Sequence, residues 1–423
     1  MSTHQTDVVV VGAGAAGLAA ARGLHERRVD FLILEARERI GGRAYTIPSS
    51  DGAFPIELGA EFIHGEAPQT HALLRESGEA ALQTAAADFV LRNGRLERGS
   101  DRWSAVERLF GSVDLGAPDR SVDALLEGAR RSGYSDDELR TARTFIEGFE
   151  AAITSDAGSV ALARQWRAGV DTSPSRPDGG YGPLLAFLAK PLGDRLRLNA
   201  RVEEIRWSRS GAYVRAVGGE ELVQIEARRV IVTVPAGVLH AGDVRFTPPL
   251  PARTRAALDA IAMGPVVKVM LEFESAFWET VDAGRFRDAG FFQAFECEIP
   301  TLWTRLPQRI PLLAAWAGGG AVARLEARGA DAIAEALATC RSLFPSVDVR
   351  AKLRAVHMHD WQTDPLSRGA YSYLRVGGGD ARDALALPVD DTLFFAGEAT
   401  SADDPGTVEG ALRSGERAVA QVL

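Results

Sequence analysis

Residues 8–24 read VVVVGAGAAGLAAARGL, and this stretch decides the fold. Four β-branched residues in a row, Val8 to Val11, mark a strand buried on both faces. Gly12, Gly14 and Gly17 follow in G-x-G-x-x-G spacing, with Ala13, Ala15 and Ala16 between them. A helical pattern continues to about Arg27, and a second apolar run, Phe31-Leu32-Ile33-Leu34, ends at Glu35. Strand, glycine turn, helix and strand make one βαβ unit, which implies a parallel sheet. A glycine-rich turn alone is a weak signal. Here it follows a strand, opens a helix and is answered by an acid after a second strand, which is the context of a dinucleotide site. Gly12 permits the tight turn, Gly14 admits a pyrophosphate, and Gly17 allows close helix–sheet packing. The helix N-terminus at Ala15 and Ala16 offers N–H groups and partial positive charge to phosphates. Glu35 accepts from ribose hydroxyls, with Ala36 and Arg37 beside it.

The rest of the composition narrows the field. The chain has 423 residues, enough for two or three domains and a sizeable core. Its formal net charge of −9 argues against nucleic acid as the main partner. Cys297 and Cys340 fit no metal-ligand spacing and no disulfide framework, so a reduced, cytoplasmic setting is expected. The N-terminus has no basic region before its apolar run, and its glycines spell strand–turn–helix rather than a signal peptide. No window of about 20 apolar residues is free of charge, so neither a transmembrane span nor a membrane anchor is expected.

Along the chain the texture alternates. Helix formers dominate from about Thr70 to Val170, and Ser135 with Glu138 has capping-box spacing. The Pro/Gly-rich run at 171–182 reads as a linker. Strand signals return in RLRLNARVEEIRW, AYVRAV and RRVIVTVP. Residues 266 to about 380 mix strands with one helix near 322–343. The end reads strand, glycine turn, loop, helix. The expected architecture is α/β: a Rossmann-like, discontinuous domain over 1–75, 183–262 and 385–423, interwoven with an α+β substrate-binding domain over 76–182 and 263–384.

The segment after Glu35 runs EARERIGGRAYT, and Gly41-Gly42-Arg43 so soon after the ribose acid are not needed for NAD. Residues 8–46 resemble the FAD-binding N-terminus of the flavin amine oxidase superfamily, which includes monoamine, polyamine and L-amino-acid oxidases and histone lysine demethylases. LGAEFIHG (58–65), RLNARVEEI (197–205), VIVTVPAGVL (230–239) and LFFAGEATSADDPGTVEGALRSGERAV (393–419) resemble later family segments. The motif details are closest to spermine and polyamine oxidases. The resemblance assigns Gly42, Arg43, Gly59, Ala60 and Glu61 to the flavin's surroundings and Val202 to the adenine. It places Gly397 and Glu398 near the ribityl phosphate, and Thr407 and Val408 at the flavin ring, with a Val408 N–H for the pyrimidine. Trp361 would lie against the flavin edge and Tyr371 would wall the amine site. Covalent members carry a cysteine where Ala370 stands, so FAD is expected to be non-covalent.

The implied chemistry is transfer of a hydride equivalent from an amine α-carbon to the flavin. Hydrolysis of the imine gives an aldehyde and an amine, and O2 reoxidises the flavin to yield H2O2. An apolar cavity favours the neutral amine that this step needs. His64 matches a substrate-side histidine of animal-type polyamine oxidases, and Glu61 in the same turn is a candidate to attract a second ammonium group. Asp403 and Asp404 read as a solvated loop or as acids at the mouth of a funnel. His357 and His359 share a strand face by period two, without a third metal ligand. In GPVVKVMLEF (264–273), period two puts Val266, Lys268, Met270 and Glu272 on one face. Lys268 then has two readings: a snorkelling lysine on a half-exposed strand, or, by the resemblance, the family lysine bonded through water to flavin N5. Three alternatives stay open. An L-amino-acid oxidase would need an arginine clamp for a carboxylate. An isoprenoid-type desaturase would show a membrane-facing patch and no lysine at 268. The third is a flavin-bound partner-binding protein.

Overall fold

The computed structural model describes residues 3–84, 86–99, 104–169, 174–218 and 221–423. Two large sheets organise it. In the first, the strand β1 (Thr3–Val11) pairs in parallel with β2 (Phe31–Leu34), in the register Val8↔Phe31 to Val11↔Leu34. The helix α1 (Ala15–Glu26) connects them, so the expected βαβ unit is present. On its other edge β1 pairs in parallel with Glu221–Val232, and that strand is also joined by Leu393–Phe395. Leu196–Arg197, Ala200–Ser208, Gly211–Gly218 and Arg245–Thr247 complete an eight-stranded sheet. Three separated stretches of the chain therefore meet in one sheet.

The valine run explains why β1 is central. Val8 and Val10 sink into one hydrophobic cluster with α1 and the C-terminal helix Val408–Val422. Val9 and Val11 sink into another, with Ile205, Val214 and Phe395. Burying each valine stabilises by about 1.5–3 kcal/mol, so one strand anchors both layers.

The second sheet has seven strands, in the order Leu353–Met358, Val266–Phe273, Leu312–Gly318, Thr301–Trp303, Ala289–Gln293, Ala87–Arg92 and Arg95–Arg98. Val266–Phe273 is interior to it, and every residue except Val267 is buried. The half-exposed reading of this strand is thus excluded. Helices Ser104–Gly111, Val122–Arg131, Asp136–Glu150 and Ser159–Arg167 form a separate apolar cluster. Ser135 caps the third of these in a full capping box with Glu138.

Two readings of the sequence need correction. The helix near 322–343 is two helices, Gly320–Ala327 and Ala332–Leu343. Gly329 at φ +61° breaks the first, and the Asp331 side chain caps the second by accepting from the Ala334 N–H. The run at 171–182 is not wholly a linker. Residues 171–173 lie outside the described residues, but Ser175–Pro177 is a buried strand paired with Ala81–Gln83. No helix among the described residues is long and apolar enough to cross a membrane.

Candidate active site

A cavity of about 1300 Å³ begins at the β1–α1 turn and continues to the second sheet. At the first end the backbone shapes it. A Cβ on Gly17 would lie 1.9 Å from the Gly12 carbonyl oxygen, so Gly17 is fixed by packing. Gly12, at φ +101°, needs the left-handed region that glycine tolerates. Gly14 is different. Its φ is −74°, and a Cβ there would meet only the Gly41 oxygen, at 3.9 Å. Neither strain nor packing calls for glycine at 14; the Cβ would simply fill the cavity where a phosphate group would approach. Gly14 caps α1 without a side chain, which leaves the first helical N–H groups facing this space. Glu35, 6% exposed, accepts from the Ala13 N–H at 2.7 Å and the Arg37 N–H at 2.8 Å, one on each oxygen. Its remaining lone pairs suit ribose hydroxyls. Ala15, Ala16, Ala36, Arg37, Gly42 and Arg43 also line this end. The residues present therefore fit a flavin dinucleotide.

The middle of the cavity is bordered by Gly59, Ala60, Glu61, Trp361, Gly397, Glu398, Thr407 and Val408. A Cβ on Gly59 would lie 1.8 Å from the Arg43 carbonyl oxygen, and Trp361 donates its indole N–H to the Leu58 carbonyl at 3.0 Å. Arg43 donates to Glu398 at 2.8 Å and to the Ala370 carbonyl at 2.6 Å. Glu398 also accepts from the Ser372 hydroxyl at 2.6 Å. Burial would raise the Glu398 carboxyl, but the charges of Arg43 and Arg382 hold it below the usual range. Val408 is the first residue of the last helix, where an N–H has no helical partner. The Thr407 hydroxyl caps that helix, accepting from the Gly410 N–H at 2.9 Å and donating to the Asp404 carbonyl at 2.8 Å.

Beyond lies a dense charge cluster. The Lys268 ammonium is 2% exposed, 2.7 Å from Glu61 and 3.0 Å from the Gly59 carbonyl. It also sits 5.7 Å from the Trp303 ring centroid. Lys268 also lines the cavity. Glu61 is held in addition by Arg176 at 3.0 Å and Arg305 at 2.9 Å, and it accepts from the Trp303 indole at 3.1 Å. Burial pushes the Glu61 carboxyl up, but the three cations outweigh it and hold the group well below the usual carboxylate range. Burial lowers Lys268, and Glu61 opposes that shift. Arg176 is brought down to about 10 by burial. Glu57 also faces Lys268 and Arg305, but burial raises its carboxyl, so Glu61 is the carboxylate that the three cations share and positive charge is in surplus beside the cavity. Glu61 is therefore committed, and the expectation that it attracts a substrate ammonium is overturned.

The far wall is aromatic. Phe62, His64, Phe149, Phe291, Trp303, Trp316 and Tyr371 all line it. The His64 ring lies 5.8 Å from Phe62 and 5.4 Å edge-on from Phe149. Tyr371 donates its hydroxyl to the Phe149 carbonyl at 2.9 Å, and its ring packs on Gly406. Tyr373 is buried away from the cavity and donates to Asp156 at 3.0 Å. Glu150 ends the helix Asp136–Glu150 and lines the same wall. Sequence reasoning missed Glu150, Arg176 and Arg305: no spacing rule links them, and Arg176 lies in the run read as a linker.

The other candidates separate from this centre. Val202 is buried in the first sheet but does not line the cavity. His357 bonds Glu272 at 2.9 Å and His359 bonds Asp364 at 2.6 Å, and no metal-binding cluster occurs among the described residues. Asp403 and Asp404 do border the cavity, and Arg413 pairs with both.

Comparison with known proteins agrees with this geometry. A family model for flavin-containing amine oxidoreductases matches residues 15–423. The chain is 27% identical to human lysine-specific histone demethylase 2 over 99% of its own length, but spans only 53% of that relative. It is 28% identical to polyamine oxidase 2 of Arabidopsis thaliana, covering 98% of this chain and 87% of the other. A solved putrescine oxidase bound to putrescine shares the fold, with a TM-score of 0.82 and 23% identity over 100% of this chain and 99% of that one. The matched region takes in nearly the whole chain and the greater part of the cavity lining, and the chain belongs to the flavin-containing amine oxidoreductases.

Proposed function

We propose that the protein oxidises an alkyl amine, with polyamines and related amines as the substrate class, using non-covalently bound FAD. The observation that carries this reading is the single cavity joining the Gly14 cradle to the aromatic wall past Lys268. When bound, the flavin supplies the hydride acceptor and hands electrons on to O2, giving H2O2. The chain's own residues do the rest. The aromatic wall strips water from the amine and favours its neutral form. Lys268, held by Glu61 and Gly59, presents positive charge to the flavin ring region, where negative charge develops on reduction. His64 and Tyr371 orient the amine. Ala370, in place of a cysteine, favours a dissociable cofactor. We further propose that the two sheets are the cores of an FAD domain (1–75, 183–262, 385–423) and a substrate domain (76–182, 263–384). A cytoplasmic setting fits the free Cys297 and Cys340.

An L-amino-acid oxidase reading is less well supported. The arginines bordering the cavity, Arg37, Arg43 and Arg413, are paired with Asp364, Glu398 and Asp404. None is left as a bidentate clamp for a carboxylate. The test is anaerobic mixing of the yellow protein with amines. Spermine, spermidine or simple alkylamines should bleach the flavin. Bleaching by L-amino acids alone would overturn the proposal.

A further inference from the structure

The two oxygens of the Glu61 carboxylate are used unequally. Oε1 takes three donors: Arg176 at 3.0 Å, Arg305 at 2.9 Å and the Trp303 indole at 3.1 Å. Oε2 is paired with Lys268, at 2.7 Å. Lys268 and Glu61 line the cavity, whereas the two arginines stand behind Glu61. Arg176 is 4% exposed and Arg305 1%. Arg176 also donates to the Thr304 and Leu306 carbonyls, at 3.2 and 3.0 Å, on either side of Arg305. Strand Ser175–Pro177 and the chain after Thr301–Trp303 are thus braced together at this point.

The charges do not balance. Lys268 and Glu61 cancel, and among the described residues no other carboxylate pairs with Arg176 or Arg305. Glu57 accepts from the Tyr181 N–H and the Thr46 hydroxyl instead, and no cation forms an ion pair with it among the described residues. Its carboxyl is raised by burial, which favours the neutral form. One cation would satisfy one buried carboxylate. Burying two more costs desolvation that a structural ion pair does not require.

We propose that Arg176 and Arg305 are positioning residues for the flavin reaction: they hold Glu61 by Oε1, leave Oε2 to Lys268, and supply the positive surplus that favours negative charge on the flavin. This rests on the reading above, which sets the flavin ring beside Lys268. Without the arginines Glu61 would neutralise Lys268, and the ring would face a pair with no net charge. With them the ring faces a net positive block, and the form that carries the electron pair is stabilised.

The test uses sulfite, without amine, on the FAD-loaded protein. Sulfite adds its lone pair to the flavin ring, and the ring takes up the negative charge, so its Kd reads the local field by loss of yellow absorbance. Arg305 gives Glu61 a single N–H, so Arg305→Lys can restore the charge that Arg305→Gln removes. Arg305→Gln should bind sulfite about tenfold more weakly, the scale of one unit charge acting through protein. Arg305→Lys should stay within about threefold of wild type. A merely structural role would lower Tm in both variants and leave the sulfite Kd unchanged. Wild-type sulfite affinity in Arg305→Gln, or equal loss in both variants, would overturn the proposal. A second measurement needs no variant: photoreduction of the wild type under nitrogen should trap the red, anionic one-electron form of the flavin, and a blue, neutral form would overturn the proposal. If amines fail to reduce the wild-type flavin while sulfite still separates the two variants, the amine oxidase reading fails and the assignment of the arginines stands.

Discussion

The two ends of the cavity are built on different principles. The cradle at Gly12–Gly17 is made of backbone. Its residues are neighbours in sequence, and the functional groups are N–H donors, one acid and the absence of side chains. The amine end is made of side chains. Glu61, Glu150, Arg176, Lys268, Arg305 and Tyr371 come from six separate segments and meet only after folding. Atoms added at the first end take up the space a ligand needs, whereas the second end cannot lose charge. A ligand with fixed phosphates suits the former, and a reaction in which charge moves suits the latter.

This contrast is broken most severely at Glu61. Replacing it with glutamine leaves Lys268, Arg176 and Arg305 buried around a neutral amide. Removing one partner of a buried pair costs about 3–5 kcal/mol. Glu61→Gln should therefore unfold at a much lower Tm or fail to accumulate, as measured by thermal melts of holoprotein and apoprotein. A near-wild-type Tm would mean that the cluster contributes little to stability. Gly14→Val gives the opposite result. Its Cβ has room and its φ is ordinary, so the stability of the apoprotein should fall by only about 1 kcal/mol, the cost of a poorer helix N-cap. FAD affinity should nevertheless fall by about a hundredfold, roughly 2.7 kcal/mol, as read by flavin fluorescence on titration. Normal FAD binding in this variant would place the phosphates elsewhere.

How much of this was legible in sequence follows from the same contrast. Val8–Val11, Gly12, Gly14, Gly17 and Glu35 could be read because a backbone site imposes fixed spacing over a short stretch. Lys268 stood out as a charge in an apolar strand, and the structure buries it with a partner. Its partner is not legible in the sequence, because nothing in GAEFIHG reveals that Lys268, Arg176 and Arg305 converge on Glu61. Glu150 was invisible for a related reason. Its helix carries several exposed acids, and only the packing of Gln165, Trp166 and Tyr371 distinguishes the one that faces the cavity. Thr407, which the resemblance assigns to the flavin ring, has its hydroxyl committed to capping the last helix.

The central claim is that the Glu61-held charge of Lys268 serves the flavin rather than the fold alone. The most direct measurement is rapid mixing of Lys268→Met with amine under nitrogen and then with O2, alongside its Tm. Methionine keeps the length and apolar stem of lysine but removes the charge. The account expects FAD to remain bound while reduction or reoxidation slows by roughly tenfold, about 1.4 kcal/mol of barrier. Wild-type rates for both half-reactions, in a variant that still holds its flavin, would contradict it.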